Sequence, residues 1–287
     1  MYTPSDAISI PEDTIIRLAL QSAPGKGKTW SALTFPYPLV LNFDNNLQAF
    51  AGRKDIQQVP FYDDTFVDKL MPRTKLKNNQ PTPRPNRKDA ILKWLEEHAA
   101  KMEDDQTLIL DSWSRVQDGF DAQAEAIPIR TASGDVDGFA FWKDKQIFSR
   151  QVCEILGTLK CNVVVTFHEQ FETDDAGKIL FNKVKPLQQG KFMNKLPSYF
   201  SDWFRCLFFA KGTDLSKETQ LHPLLKEMGE KVVLENDLGL WQTKSDLVSD
   251  CKSRIPGCPQ FIRAHYGNLI DLYAKSQQAK NNLSPAT

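Results

Sequence analysis

The chain has 287 residues with 36 basic and 36 acidic side chains, so its formal net charge is zero; this excludes a chain-wide cationic surface for nucleic acid and leaves only local patches. Hydrophobic residues make up 41% and charged ones 25%, which suits a globular chain that buries a full core as one large domain or two small ones. No apolar run reaches the roughly 18 residues of a membrane span, and Met1-Tyr2-Thr3-Pro4-Ser5-Asp6 lacks the basic-then-apolar order of a signal peptide.

In chain order, residues 1–13 read as a short N-terminal arm. The apolar run Ile15-Ile16-Arg17-Leu18-Ala19-Leu20 predicts a strand over 15–21. Behind it stand Ser22-Ala23-Pro24-Gly25-Lys26-Gly27-Lys28-Thr29 and then Trp30-Ser31-Ala32-Leu33, helix-compatible over 28–34. A strand, a glycine-rich turn and a helix opening on Gly-Lys-Thr form a phosphate cradle. Backbone N–H groups and the helix N-terminus face the anion, Lys28 reaches the β- and γ-phosphates, and the Thr29 hydroxyl can ligate Mg²⁺. Residues 22–30 are therefore the predicted nucleotide-binding segment. The G-x-x-x-x-G-K-[ST] pattern carries Ser22 at its first glycine, a strand-exit position that accepts another small residue.

Leu39-Val40-Leu41-Asn42-Phe43 is a second strand, ending in Asp44-Asn45-Asn46, and a short strand fits 56–61. Residues 72–88 hold six basic residues (Arg73, Lys75, Lys77, Arg84, Arg87, Lys88), four prolines and no acid, the composition of an exposed basic loop. A helix over 88–102 follows, with Ile91, Leu92 and Leu95 on one face. Thr107–Asp111 is the next strand. Helical patterns cover 113–126 and 139–159, with a loop at 128–138 between them. Asn162–Phe167 is a β-branched buried strand. Residues 170–200 read as hairpin or loop with a turn at Asp174-Asp175-Ala176-Gly177, and strands are expected near 203–210 and 239–243. The polar end, 276–287, reads as a disordered tail. Strands alternating with helices predict an α/β fold, a mainly parallel central sheet with helices on both faces, over 14–275. The five cysteines, Cys153, Cys161, Cys206, Cys251 and Cys258, are an odd set and fit reduced core thiols of a cytoplasmic protein.

Leu108-Ile109-Leu110-Asp111-Ser112 has the form of a second nucleotide motif, in which a strand delivers a carboxylate beside the phosphate loop to hold Mg²⁺ with Thr29. Val163-Val164-Val165-Thr166-Phe167-His168-Glu169 is a third element, whose polar end faces the γ-phosphate. His168 can bond to that phosphate or sense its loss. Hydrolysis needs a residue to polarise the attacking water, and Asp44 and Glu169 are the two candidates.

Together these motifs resemble the RecA-like ATPase core, and most closely the short phage-encoded RecA-like NTPases of the Sak single-strand annealing type. Lys185-Pro186-Leu187-Gln188-Gln189-Gly190-Lys191, Leu196-Pro197-Ser198-Tyr199-Phe200-Ser201-Asp202, Trp241-Gln242-Thr243-Lys244-Ser245 and Cys251-Lys252-Ser253-Arg254 resemble later segments of those proteins. The resemblance implies ATP and Mg²⁺ as cofactors and an ATP site between neighbouring subunits of a ring or filament. It also implies the cytoplasm of an infected or lysogenic bacterial host, and single-stranded DNA bound by the loops after the second and third motifs. The acidic 128–138 loop is a poor DNA contact. The 170–195 segment carries Lys178, Lys183, Lys185, Lys191 and Lys195 with Phe181 and Phe192, a set for phosphate contact and base stacking. Two departures from the family, Asn46 where a catalytic Glu is usual and His168 where Gln is usual, imply slow turnover. Lys244, Lys252 and Arg254 are candidates for a finger reaching a neighbour's γ-phosphate. Two other readings stand beside this one: a nucleotide-dependent switch or loader that acts on a protein partner, and a small-molecule kinase, for which no arginine-rich lid is visible.

Overall fold

The computed structural model describes residues 15–75, 80–82, 84–173, 179–188, 191–246 and 249–283. The N-terminal arm over 1–13, the turn at 174–177, Lys77 and Lys178 lie outside them. In chain order the elements are β1 (Arg17–Ser22), α1 (Lys28–Ala32), β2 (Pro38–Asn42), β3 (Gln57–Pro60), α2 (Asp64–Leu70), α3 (Arg87–Glu97), β4 (Thr107–Asp111) and α4 (Trp113–Ala126). Then come α5 (Gly138–Thr158), β5 (Asn162–Thr173), β6 (Ile179–Pro186), β7 (Asp202–Phe209), α6 (His222–Glu227), β8 (Leu238–Gln242), β9 (Phe261–Arg263) and α7 (Tyr266–Leu283).

The strands form one sheet in the order β3-β2-β4-β5-β1-β7-β8-β9, with β6 paired to β5 off that path. From β3 to β7 every neighbouring pair is parallel; β8 and β9 close the far edge antiparallel. The fold is the expected α/β class. Period-2 alternation explains its two faces. Ala19, Leu108, Leu110, Val163, Val165 and Phe167 pack under α3, α4 and α5. Leu18, Leu20, Val40, Ile109, Val164 and Phe204 pack on the other side with α1 and α7. Such runs, buried on both faces, read as continuous β-branched and leucine stretches because helices cover both sides.

Phe167 is fully buried and touches the rings of Trp113, Phe200 and Trp203. Phe167→Ala should lower unfolding stability by about 3–5 kcal/mol, read from urea denaturation.

Several boundaries differ from the sequence reading. The helix expected over 28–34 stops at Ala32, where the chain turns toward Phe35 and Pro36. Strand β5 runs six residues past Phe167, because its second half leaves the sheet to pair antiparallel with β6 as a hairpin. The stretch from 277 to 283 is helical, the last turns of α7. Helix α7 docks through Leu269 and Tyr273, and Tyr273 hydroxyl donates to the buried Asp202 carboxylate at the start of β7. Ser253 Oγ and the Arg254 N–H complete that carboxylate's partners at 2.8 and 3.1 Å. Arg254 itself reaches Tyr273 hydroxyl at 2.9 Å and the Ile15 carbonyl at 2.8 Å, so this finger candidate is engaged within its own chain. Lys244 is exposed and Lys252 is half-buried.

Candidate nucleotide site

The loop between β1 and α1 owes its shape to two glycines. Gly25 and Gly27 have φ of +74° and +81°, a region that strains any residue with a Cβ. Nothing lies within 4 Å of where a Cβ would sit on either, so backbone conformation, not space, demands glycine. Ser22 needs no such freedom: it is the last residue of β1, in ordinary strand register with His168. Its carbonyl and hydroxyl both accept from Lys28 Nζ, at 2.9 and 3.1 Å, and the Ala23 carbonyl accepts at 3.1 Å. The ammonium is folded back on the loop. Burial pushes its pKa down, opposed by Cys206, Asp111, Glu169 and Asp44. Because α1 spans only five residues, its dipole is small, and the attraction for an anion rests on loop N–H groups and Lys28.

Strand order brings the other motifs to the same edge. Between β1 and β4 lies β5, so Thr166 and His168 sit between the loop and Asp111. Asp111 is buried and accepts from Thr29 Oγ1 at 2.8 Å on one oxygen and from Thr166 Oγ1 at 2.5 Å on the other. Burial pushes its carboxyl up, and the nearby Asp44 charge adds to this against the two hydroxyl bonds and Lys28. A hydroxyl and a carboxylate in contact beside a lysine-bearing loop are the hard oxygen donors that Mg²⁺ takes. No group of three or more His, Cys, Asp or Glu residues able to hold a metal occurs among the described residues. The two oxygen donors, Thr29 Oγ1 and the Asp111 carboxylate, fit an ion that draws most of its ligands from phosphate and water, as Mg²⁺ does.

The two candidates for polarising water separate clearly. The Glu169 side chain is 3% exposed and is clamped by Arg205, whose Nε donates at 2.7 Å and whose second nitrogen donates at 3.3 Å. It does not line the cleft. Asp44 does. Ser112 Oγ donates to one Asp44 oxygen at 2.8 Å, and His168 Nε2 meets the other at 3.2 Å. A carboxylate only accepts, so Nε2 carries the hydrogen. Burial alone would push the Asp44 carboxyl up. The bonds from His168 and Ser112 and the charges of His168 and Arg115 outweigh it and hold the carboxyl below the ordinary carboxylate range. A depressed carboxyl contributes stability above the ordinary range and loses it as pH falls through its own lower value. Asp44→Asn should therefore be less stable than the unmodified chain at pH 7, and the gap should close in strong acid, as followed by urea denaturation across pH.

The cleft holds about 1060 Å³ and runs from Asp44, Asn45 and Asn46 past the phosphate loop to a far wall. Leu207, Phe208, Asp237, Gly239 and Ala264 make that wall, and Trp30, 62% exposed, flanks it. Sequence reasoning missed the far wall. The signal for it was the apolar run at 203–210, which gains meaning only when β7 is known to lie beside β1.

A family model described as an AAA domain matches residues 14–208. The chain belongs to the AAA domain family. No curated protein matches it. Among solved structures, the flagellar accessory protein FlaH from Methanocaldococcus jannaschii is similar at 10% identity, covering 87% of this chain and 86% of FlaH, with a TM-score of 0.39. The matched span takes in the phosphate loop, Asp111, His168 and most of β7. In this AAA domain β8, β9 and α7 lie beyond the match.

The residues expected to contact DNA fall into several settings. Lys183 belongs to β6 and Lys191 to a 3₁₀ turn, with side chains outside the described residues. Lys185 is half-buried on β6, and Lys195 is exposed. Phe192 is 3% exposed and packs against Tyr199, so it is core and cannot stack on a base. Phe171, on the same hairpin, is exposed instead. The basic 72–88 segment is less free than its composition suggests. Arg73 pairs with Asp68, Arg87 with Asp64, and Lys88 with Asp144. Those acids lie outside the segment, so the sequence window hid them.

Proposed function

We propose that this AAA domain is a slow ATPase, of the phage-encoded Sak type, that binds single-stranded DNA in recombination or annealing. The observation that carries the nucleotide part is Thr29 in contact with Asp111 beside a phosphate loop, with Asp44 across the same cleft. The chemistry Mg²⁺ supplies when bound is neutralisation of the β- and γ-phosphate charge, with Thr29 and Asp111 as holding residues. Lys28 unfolds from the Ser22 and Ala23 carbonyls to meet phosphate oxygens. Asp44 polarises the attacking water, and His168 is a positioning residue that orients Asp44. With Asn46 where a catalytic Glu is usual and His168 where Gln is usual, turnover is slow. ATP holds an assembled ring or filament of copies in the host cytoplasm, and hydrolysis releases it. Residues 14–275 act as one domain, a reading that the single sheet of β1 to β9 supports.

The DNA part rests on the hairpin of β5 and β6. The Leu187 N–H donates to the His168 carbonyl at 2.6 Å, which ties the hairpin's base to the γ-phosphate side of the cleft. The test is anisotropy of a labelled single strand with and without ATP·Mg²⁺, beside Lys28→Ala and a salt titration. Binding should be ATP-stimulated and lost in the variant. Each of Lys183→Ala, Lys185→Ala and Lys195→Ala should reduce the salt slope by about 0.7. ATP binding without DNA affinity at low salt would sink the DNA reading.

One observation favours a protein partner instead. Ile129, Val136, Phe139 and Trp142 are exposed in the loop before α5 and its first turns, and Phe139 is 82% exposed. Clustered apolar exposure of this kind suits a protein contact. A nucleotide-dependent switch would use that face, and Phe139→Ser with Trp142→Ser would then abolish partner capture while ATP binding persists.

A further inference from the structure

A second cavity lies on the opposite face of β1 and β7 from the phosphate loop. It holds about 260 Å³ between β6, the turns over 193–197 and the segment over 250–252. Its walls are largely apolar, built from Val184, Pro186, Met193, Pro197 and Trp203. Gln21 lines it from β1 and is 1% exposed. The amide has one fixed end: Trp203 Nε1 donates to Gln21 Oε1 at 2.8 Å. An indole nitrogen can only donate, so the amide cannot be flipped. The other end, Gln21 Nε2, is buried with no partner among the described residues. An unpaired buried donor costs roughly 1–3 kcal/mol, and an acceptor entering the cavity would relieve that cost.

The remaining polar groups fix the ligand's charge. Lys185 and Lys252 line the cavity with Asn194, and Asp250 is the one carboxylate. Lys252 makes no ion pair among the described residues, and burial pushes its pKa down. Cys251 also lines the cavity, and burial pushes its thiol up to about 12, so it offers a wall and not a nucleophile. An apolar slot with an amide donor behind it and Lys252 at its wall suits a flat group that carries a carbonyl acceptor and an anionic tail.

We infer that this cavity binds one nucleotide unit, its base carbonyl accepting from Gln21 and its phosphate lying toward Lys252. The unit comes either from a single strand crossing the hairpin or from a free mononucleotide. The strand source rests on the DNA reading above. Adding a base to the strand's contacts makes affinity depend on bases as well as on phosphates, which backbone contacts alone do not do.

The experiment compares labelled oligo-dT, an abasic oligomer of equal length, and dTMP, on the full chain. Variants are Gln21→Glu, which keeps the Trp203 acceptor and replaces the donor, and Met193→Trp, which fills the cavity from a half-buried wall. Thermal melting and binding of a fluorescent ATP analogue serve as fold controls. The expected result is that oligo-dT binds tighter than the abasic strand and that both variants weaken oligo-dT by about tenfold with both controls unchanged. If dTMP binds alone and loses affinity in both variants, the source is a free mononucleotide. Equal affinity for oligo-dT and the abasic strand, unaltered by the variants, overturns the cavity and leaves the DNA reading intact. Failure of oligo-dT and dTMP alike at low salt overturns both.

Discussion

Lys28→Ala should cut affinity for ATP·Mg²⁺ by about 10²–10⁴-fold, measured by titration of a fluorescent analogue. Two charge-assisted bonds from an ammonium to phosphate are worth about 1.5–3 kcal/mol each, and every 1.4 kcal/mol is a factor of ten. The three acceptors of Lys28 Nζ are Ser22 Oγ and the carbonyls of Ser22 and Ala23. Binding exchanges those acceptors for phosphate oxygens. Loss of the lysine also removes a buried charge, and burial opposes that charge here. Lys28→Met, which keeps the stem, should therefore unfold within about 1 kcal/mol of the unmodified chain, because the lost carbonyl bonds and the relieved burial act against each other. Together the two readouts separate a binding defect from a folding defect.

The phosphate loop was legible because its chemistry is local. Gly25, Gly27, Lys28 and Thr29 are consecutive or nearly so, and the backbone geometry they need is set by their own φ angles. Asp111 was legible because a strand end projects a carboxylate in a fixed direction whatever surrounds it. The sheet's parallel centre followed from β-branched runs that only two-sided burial explains. Helix α7 was not legible in the sequence, and its end read as a disordered tail: its polar residues conceal a packing decided by Leu269, Tyr273 and the Asp202 carboxylate about 70 positions earlier.

What escaped the sequence was pairing across distance. Whether a charge is free depends on what folds beside it. Arg73, Arg87 and Lys88 looked like a cationic loop because Asp68, Asp64 and Asp144 stood outside the window. Glu169 looked available because nothing marks Arg205 as its neighbour until β5, β1 and β7 are adjacent. Phe192 looked like a stacking residue because an aromatic among lysines carries no mark of burial. Asp44 and His168 are 124 positions apart, and only the order β2-β4-β5 brings them together.

That pairing carries the second large effect. Asp44→Asn should lower the kcat of ATP hydrolysis by about 10²–10⁴-fold, the usual reach of one positioned acid–base group, while affinity for ATP·Mg²⁺ is retained. Retention follows because Asp44 bonds to Ser112 and His168, and no hydrogen bond joins it to the phosphate loop among the described residues. His168 acts through Asp44, so its substitution has a different signature. The base must be ionised, and the rate falls as pH drops through its pKa. The His168 bond helps hold that pKa low. His168→Leu removes the bond, so the acidic limb of the kcat profile should move to higher pH, whereas His168→Gln keeps a donor and should restore most of the original limb. A His168→Leu enzyme with an unmoved limb, or an Asp44→Asn enzyme with unchanged kcat, would assign the water to another group. Among the described residues lining the cleft the remaining carboxylates are Asp111, held by two threonines, and Asp237, on the far wall.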